Sequence, residues 1–287
     1  MAVRPRRDGP TPEEVGAMYD THGEMLSMLL GSSAVHIGMY VPDEAPAPVT
    51  DLVALSDAAQ DRQTDSLIEI LSLGPRDHLL DIGCGTGGPA VELALRSGAR
   101  VTGVTVSAEQ LAQCEERAQD ADVAGRVRFA HGNAMDLALP DGSFDAAWSI
   151  DCFPHLTDRA AALREAARVL RPGGRLVATD FTDRSTPPPE LVDAYRRLWS
   201  SPAPTAFDTL LAEVRESGLE LVRVWNRTSN VALAGELMHA VFQDRRQEMT
   251  ELYGAEAVEH TAELVAPFRA YCRDHLDYYQ LLLRRPA

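Results

Sequence analysis

The sequence predicts an α/β fold in which helices cover both faces of a mostly parallel, doubly wound sheet of seven strands. Short apolar runs alternate with stretches of helical periodicity through the middle of the chain, the pattern of successive βαβ units. A glycine-rich turn follows the first apolar run directly, as expected where a parallel strand leads to a ligand. With 287 residues, 45% of them hydrophobic, the chain can bury a substantial core.

The first fifty residues are predicted to form an arm and a helical lid. Residues 1–12 are charged, contain prolines and show no periodicity, which is typical of a flexible arm. Thr11 precedes a proline and an acidic turn, so a helix should begin there. The proline-rich segment 41–49 is expected to be an ordered or extended connection. The main domain is expected over 51–287, beginning with a helix.

Seven apolar runs predict the strands of the sheet. They lie at 78–83, 99–106, 126–132, 144–150, 175–181, 219–226 and 278–286. After the second run, Ser107 is expected to cap a helix, with Gln110 at the position of a capping box. An insertion around 184–206, rich in proline and aromatic residues, is predicted to be further lid material over a pocket. A long helical segment is expected over 231–274.

The charge of the chain restricts its partners. Lys and Arg total 27 against 43 Asp and Glu, a formal net charge of −16, which repels nucleic acid and anionic lipid. The four cysteines have no CxxC spacing, so neither a zinc site nor a disulfide framework is indicated. No apolar run approaches the ~20 residues of a membrane span. A cytoplasmic protein without a metal is expected, and a homo-oligomer is left open.

The segment LLDIGCGTGG is the most informative stretch of the sequence. Its glycines allow the tight turn and close backbone approach of a nucleotide site. Gly83, Gly85 and Gly88 satisfy GxGxxG, a weak match that also fits a dinucleotide site. Such a site requires an acid about 20 residues further on, where this chain has Thr105. Asp81 instead places a carboxylate before the first glycine, suited to a cationic amine or sulfonium ligand.

Four segments in this order, DIGCGTG, GVTVSAEQL, GNAMDLALPDGSFDAAWSID and VLRPGGRLV, resemble successive motifs of the S-adenosylmethionine (SAM)-dependent methyltransferases. The match covers about residues 60–182. It implies a Rossmann-like fold, SAM as cofactor and S-adenosylhomocysteine as product. The resemblance implies that Gly83, Gly85 and Gly87 cradle the methionine part of SAM, and that Asp81 holds its amino end.

The resemblance also implies contacts for the rest of the cofactor. A subgroup with GVT.S..Q uses Thr and Gln at the end of the second strand, and Thr105, Ser107 and Gln110 match it. The adenine position falls at Asn133, Ala134 and Met135, where Asn stands in place of the more usual Asp. The segment SSAVHIGMY is similar to an H.GY. lid element of small-molecule methyltransferases. Tyr40 in this element is predicted to pack against the sulfonium of SAM, with ordinary lid packing as the alternative. Tyr19 in the first helix is predicted to reach the SAM carboxylate, with a place on the helix surface as the alternative.

Three residues near the carboxyl ends of strands are catalytic candidates. His155 and Asp151 match a His and a Glu of many relatives, and suggest a general base with its orienting acid. Each also has a structural interpretation, since His155 fits helix capping or packing and Asp151 fits a loop acid. Asp180 ends the fifth strand at the ligand edge, where it could have a substrate role, although it could instead cap the following turn.

The predicted substrate residues lie in the two lid segments. His36 belongs to the lid element, and Trp199 is one of several large apolar residues that suit an adaptable pocket. The helical spacing of the apolar residues favours plain core packing, and ordinary lid packing is the alternative for His36. Together with the acidic charge, enclosure by lids predicts methyl transfer to O, N or C of a small hydrophobic metabolite, as in natural-product tailoring. A cyclase or isomerase that retains SAM without transferring methyl, and a noncatalytic SAM-binding protein, are the alternatives.

Overall fold

The computed structural model describes residues 8–31, 34–40 and 51–287. Its strands are β1 His78–Ile82, β2 Arg100–Thr105, β3 Val127–His131, β4 Phe144–Ser149, β5 Leu170–Asp183, β6 Thr205–Ala206, β7 Glu220–Asn226 and β8 Leu276–Arg284. Its helices are α1 Pro12–Leu30, α2 Leu52–Leu71, α3 Gly88–Ser97, α4 Ala108–Asp120, α5 Arg159–Val169, α6 Pro189–Trp199, α7 Phe207–Glu216, α8 Thr228–Asp244, α9 Arg246–Tyr253 and α10 Ala255–Asp274. Most of the predicted arm, the predicted connection 41–49 and the boundary at residue 50 lie outside the described residues.

The sheet has the strand order β3-β2-β1-β4-β5-β8-β7, with the two-residue β6 paired to β5. The β8 strand runs antiparallel to both of its neighbours, and the other pairs are parallel. The predicted mostly parallel α/β fold is therefore confirmed. Because the strand order reverses between β1 and β4, a ligand crevice is expected outside their carboxyl ends. The β6 strand was not predicted, since two residues carry no periodicity.

Three apolar clusters hold the fold together. One packs α5 and α7 against one sheet face, and a second packs α2 and α3 against the other. The third joins the lid helix α1 and the insertion helix α6 to α8 and α10 through Met25, Leu29, Tyr195, Leu198, Met238 and Phe268. Both predicted lid segments thus share one core, so the cap is a packed layer attached to the main domain.

Local details refine the predicted helices. Thr11 caps α1 as predicted, accepting from the Glu14 amide at 3.2 Å, while the Glu14 carboxylate accepts from the Thr11 amide at 2.7 Å. Ser107 caps α4, but the expected capping box is incomplete because the Gln110 side chain accepts from Thr105 Oγ1 instead. The predicted helical segment 231–274 is three helices. Gly254, with φ 86°, separates the last two.

Two glycines of α1 provide a matched test of how closely the lid helix packs. A Cβ on Gly16 would lie 2.3 Å from the Val106 carbonyl oxygen, whereas a Cβ on Gly23 would meet nothing within 4 Å. Gly16→Ala should therefore lower the free energy of unfolding by about 1–3 kcal/mol. Gly23→Ala should raise it by about 0.5–1 kcal/mol through helix propensity alone. Urea denaturation measures both, and equal effects of the two substitutions would contradict close docking of α1.

Candidate functional site

The glycine loop after β1 has the open, left-handed backbone that its sequence predicts. Gly83, Gly85 and Gly87 have φ of 76°, 52° and 80°. The amides of Gly83 and Cys84 both donate to the Val104 carbonyl at 2.9 Å, which ties the loop to β2. A Cβ on Gly85 would meet nothing within 4 Å, although this glycine borders a cavity. The loop therefore leaves room for a ligand against its backbone.

A cleft of about 740 Å³, including its open mouth, lies at the carboxyl ends of β1, β2 and β4. It is bordered by eight of the predicted cofactor residues, namely Tyr19, Gly83, Gly85, Thr105, Gln110, Asn133, Ala134 and Met135. Its lining also includes apolar residues that the sequence analysis missed, among them Val15, Val35, Ile150 and Leu156. A single apolar side chain carries no chemical signal in a sequence, so only the fold could reveal these.

The end of β2 is fixed by side-chain hydrogen bonds. Thr105 Oγ1 donates to Gln110 Oε1 at 2.9 Å, so each of these cleft residues holds the other in place. Ser107 does not border the cleft. Its hydroxyl donates to the Asp20 carboxylate of α1 and accepts from the Gln110 amide at 3.0 Å. Ser107 therefore attaches the lid helix to the cofactor side of the sheet.

The predicted adenine segment forms a compact turn beside the cleft. Asn133 Oδ1 accepts from the Met135 amide at 2.9 Å, which leaves the side-chain NH₂ as the part of Asn133 able to meet a base. Ala134 is buried and Met135 packs against the main core cluster. Asn133 can therefore occupy a position where relatives more often have Asp, because its side-chain oxygen accepts the hydrogen bond that completes the turn.

Asp81 lies below the glycine loop and is 2% exposed. Together with Gly83, Gly85 and His36 it borders a cavity of about 300 Å³. Burial raises the pKa of Asp81 to about 7, because no water stabilises the charged form. A cationic group beside the carboxylate would relieve this penalty. The open glycine loop and this carboxylate fit the aminoacyl end of SAM.

His155 stands where the cleft meets the lid. It ends a short 3₁₀ helix, Phe153–His155. Its Nε2 lies 3.0 Å from the Tyr19 hydroxyl and its Nδ1 lies 3.0 Å from Ser201 Oγ, which donates to the Trp199 carbonyl at 3.2 Å. These partners assign the proton to Nδ1 and leave Nε2 as an acceptor. Desolvation lowers the pKa of His155 to about 4, so the ring is neutral at physiological pH.

Asp151 follows β4 with φ 54°, and this turn directs its carboxylate away from His155. Its Oδ1 accepts from Thr179 Oγ1 at 2.6 Å and from the Tyr278 hydroxyl at 2.7 Å. Its Oδ2 accepts from the Ile37 amide at 2.8 Å. The predicted pairing of Asp151 with His155 is therefore replaced by another arrangement. Asp151 anchors the lid element, and Ser201 orients His155.

Asp180 is not brought to the cavities described here. Thr179 faces Asp151, so the next residue of β5 faces the opposite side of the sheet. There Asp180 Oδ2 accepts from Arg159 Nη1 at 2.7 Å, and Arg159 Nε donates to Glu213 at 2.6 Å. All three side chains are almost fully buried. The prediction of a substrate role for Asp180 is corrected accordingly, since the ion-pair network accounts for it.

A second cavity, hereafter the acceptor chamber, lies behind the cleft and under the cap, and its volume is about 410 Å³ including the open space at its mouth. It shares Tyr19, Val35, Asp151 and His155 with the cleft. Its remaining walls are His36, Ile37, Leu30, Pro154, Phe181, Tyr195, Trp199, Ser201 and Phe268. Both predicted substrate residues, His36 and Trp199, are therefore brought together.

Gly87, the N-cap residue of α3, and Ser107 border none of these cavities. Tyr40 is the third predicted cofactor residue outside them. Its hydroxyl lies 3.5 Å from Ser56 Oγ, and its ring packs against the cap cluster. Lid packing, the alternative stated above, accounts for this placement.

In the parts of the chain that the structure describes, three or more His, Cys, Asp or Glu side chains nowhere gather as a metal site.

Comparison with known proteins identifies the family. A family model described as a methyltransferase domain matches residues 80–178. The 27-O-demethylrifamycin SV methyltransferase of Amycolatopsis mediterranei is 35% identical over 281 residues, covering 96% of this chain and 98% of that protein. The chain belongs to the SAM-dependent methyltransferase family. Its cofactor is SAM, as its sequence motifs imply.

Two further relatives extend the comparison. An O-methyltransferase of Aspergillus sclerotiorum, resE, is 35% identical over 77% of this chain and 81% of its own length. The crystal structure of the [4+2]-cyclase SpnF superposes with a TM-score of 0.81 and 29% identity, covering 97% of this chain and 98% of that one. The similarity to SpnF spans nearly the whole of both chains, so it includes the cap as well as the core.

The raised pKa of Asp81 predicts that SAM affinity depends on pH. In the free protein the carboxylate gains a proton as pH falls through about 7, and that proton must leave when the ammonium group of SAM binds. The dissociation constant should therefore rise between pH 7.5 and 5.5, approaching tenfold per pH unit below 7. Calorimetric titration measures this, with Asp81→Asn as the control that removes the dependence. A constant affinity over this range would contradict an Asp81 contact with the amino group.

The Arg159 network predicts a large loss of stability when its cation is removed. Arg159→Ala leaves two buried carboxylates unpaired, and should lower the free energy of unfolding by about 3–5 kcal/mol. The exposed pair of Arg284 and Glu220, 2.7 Å apart, is the matched control, and Arg284→Ala should cost less than about 1 kcal/mol. Urea denaturation separates the two, and a small effect of Arg159→Ala would restore Asp180 as a candidate for substrate binding.

Proposed function

We propose that this methyltransferase transfers the methyl group of SAM to a hydroxyl oxygen of a small apolar molecule, in the tailoring of a natural product. The observation that carries the proposal is His155, a neutral imidazole whose Nε2 accepts a hydrogen bond at the boundary shared by the cofactor cleft and the acceptor chamber. A hydroxyl must lose its proton during methyl transfer, and a group at this boundary can take it. Relatives with O-methyltransferase names support oxygen over nitrogen and carbon.

The residues of the cleft would hold the cofactor in one orientation. The glycine loop and Asp81 suit the aminoacyl end, the Thr105 and Gln110 pair suits the ribose, and Asn133 suits the adenine. SAM supplies an electrophilic methyl on a positively charged sulfur. Since an in-line displacement requires mainly alignment in a dry site, the protein contributes position and exclusion of water. The apolar walls of the acceptor chamber support both tasks.

His155 would act as the proton acceptor. Burial raises the pKa of Tyr19, so its phenol stays protonated and donates a hydrogen bond to Nε2 of His155. The hydroxyl of a bound acceptor would take the place of the Tyr19 hydroxyl in this hydrogen bond. The proton of the acceptor hydroxyl would pass to Nε2 as the oxygen is methylated. The imidazole would then carry the positive charge that SAM brings on its sulfur, so the net charge of the pocket would be unchanged. This compensates for the low basicity of the desolvated ring.

The setting of the reaction follows from the composition. A net charge of −16 supports a small molecule over nucleic acid as substrate. Cys84, Cys114, Cys152 and Cys272 are free thiols, which supports a reducing cytoplasm. No helix in the described part of the chain is long and apolar enough to cross a membrane. A homo-oligomer stays a prediction.

The similarity to a [4+2]-cyclase supports a second candidate function. A cyclase on this fold would use the same chamber to hold a folded substrate while SAM stays unreacted. Incubation with methyl-labelled SAM and a panel of apolar alcohols separates the two. Label in the product supports methyl transfer, whereas an unlabelled isomer of the added compound supports the cyclase. Failure to bind SAM would refute both.

Replacement of His155 tests its role as the base. His155→Ala should lower turnover by about 10²-fold or more while SAM affinity is retained, because only the proton transfer is lost. His22→Ala is the control. Because His22 is exposed on α1, this variant should have the same turnover as the unaltered protein. Single-turnover rates and calorimetry give the two quantities. Unchanged turnover of the His155 variant would exclude it as the base.

A further inference from the structure

We propose that His36 determines substrate specificity, with its Nε2 accepting a hydrogen bond from a second O–H or N–H group of the substrate. The substrate class is then an uncharged apolar molecule with two polar groups, one that is methylated beside His155 and one that His36 binds. The inference rests on the proposed function and adds a requirement to it. It concerns the binding of the acceptor, so it can be tested separately from turnover.

The hydrogen bonds of His36 define which nitrogen is free. Its Nδ1 lies 3.0 Å from the Ile37 carbonyl oxygen, and a carbonyl can only accept, so Nδ1 carries a proton. Burial lowers the pKa of His36, so the ring is neutral and Nε2 is a bare acceptor. The residue is 5% exposed, and Nε2 has no hydrogen-bond partner among the described residues. A buried acceptor without a donor is unfavourable and is rare in folded proteins.

The cavities around His36 indicate that a bound ligand supplies the donor that Nε2 lacks. The ring borders both the acceptor chamber and the smaller cavity beside Asp81. The Ile37 amide is held by Asp151 Oδ2 at 2.8 Å, and the Met39 amide donates to the Ala59 carbonyl at 2.7 Å. The backbone around His36 is thus fixed at two points. The ring cannot readily move to find a donor elsewhere in the protein.

The walls of the acceptor chamber indicate what kind of molecule brings the donor. Phe181, Tyr195, Trp199 and Phe268 supply aromatic surface. Asp151 carries the only formal charge among the described lining residues, and both of its oxygens already accept hydrogen bonds. No described cation lines the chamber, which disfavours a phosphate or carboxylate on the substrate. A neutral, ring-containing alcohol fits these walls.

A buried acceptor without a partner makes the site selective, because a ligand that cannot donate a hydrogen bond to it binds weakly. A site built to bind a hydroxyl discriminates strongly against the analogue without it, because the site's own polar group then stays unpaired. A rival source of the donor is the amino group of the cofactor, since His36 also borders the cavity beside Asp81. The two sources predict different affinities in one variant.

Two substitutions of His36 separate the contribution of Nε2 to binding from that of Nδ1. In His36→Asn the side-chain amide replaces Nδ1 and can still donate to Ile37, but nothing replaces Nε2. In His36→Gln the amide reaches the position of Nε2 and its oxygen can accept. Both full-length variants are compared with the unaltered protein by thermal unfolding. Calorimetric titration then measures binding of S-adenosylhomocysteine, and of acceptor probes to the protein saturated with it.

The probes are 1-naphthol and a set of dihydroxynaphthalenes that differ in the position of the second hydroxyl. At least one diol should bind the unaltered protein about tenfold or more tightly than 1-naphthol. His36→Asn should abolish this preference and leave 1-naphthol unaffected, and His36→Gln should restore part of it. S-adenosylhomocysteine should bind all three proteins equally.

Three results would overturn the inference. They are the absence of any diol preference in the unaltered protein, an equal loss for mono-ol and diol in His36→Asn, and a selective loss of S-adenosylhomocysteine binding, which would assign His36 to the cofactor. If His36→Asn does not fold, ¹⁵N-histidine NMR of the unaltered protein decides, because the Nε2 resonance must respond to the diol and not to 1-naphthol. A diol preference that is lost in His36→Asn supports the His36 contact whether or not the probe is methylated, and label transfer from methyl-labelled SAM tests the proposed function separately.

Discussion

The carboxylate of Asp151 connects parts of the molecule that are far apart in sequence. It accepts hydrogen bonds from Thr179 in β5, from Tyr278 in β8 and from the Ile37 amide in the lid element. The residue itself follows β4 in a left-handed turn. One carboxylate thereby fixes the lid element against the centre of the sheet. The position of His36 depends on this contact, because Asp151 holds the amide of the next residue, and Asp151 itself borders both the cofactor cleft and the acceptor chamber.

The lid helix is attached to the cofactor side by separate contacts. Gly16 allows α1 to touch the Val106 carbonyl, Asp20 receives the Ser107 hydroxyl, and Tyr19 donates to His155. Each contact involves a residue that follows β2 or β4, where the cofactor cleft lies. Docking of α1 and filling of the cleft are therefore linked, because the same strand ends serve both. The orientation of the His155 ring therefore depends on the docking of α1, through its hydrogen bond with Tyr19.

The sequence predicted features that depend on neighbouring residues in the chain. The glycine loop, the cap at Thr11 and the strand end at Thr105 follow from local patterns, and the fold places them as expected. The two lid segments were also predicted from local patterns, and their helices pack in one cluster. The sequence could not predict the partners of Asp151 and Asp180. Tyr278 meets Asp151 only through the register of β8, and Arg159 meets Asp180 only because β5 presents alternate residues to opposite faces. The apolar residue Val35 borders all three cavities of the site. The sequence marked the lid element that contains it, but an apolar side chain within that element carries no signal of contact with a ligand.

We propose that the reacting sulfur of the cofactor lies where the cleft meets the acceptor chamber. A crystal structure of the complex with S-adenosylhomocysteine tests this placement directly. We expect the adenine beside Asn133, the amino group beside Asp81, and the sulfur facing the acceptor chamber at the boundary formed by Asp151 and His155. A bound cofactor whose sulfur points away from that boundary, with the chamber closed off from it, would contradict this placement.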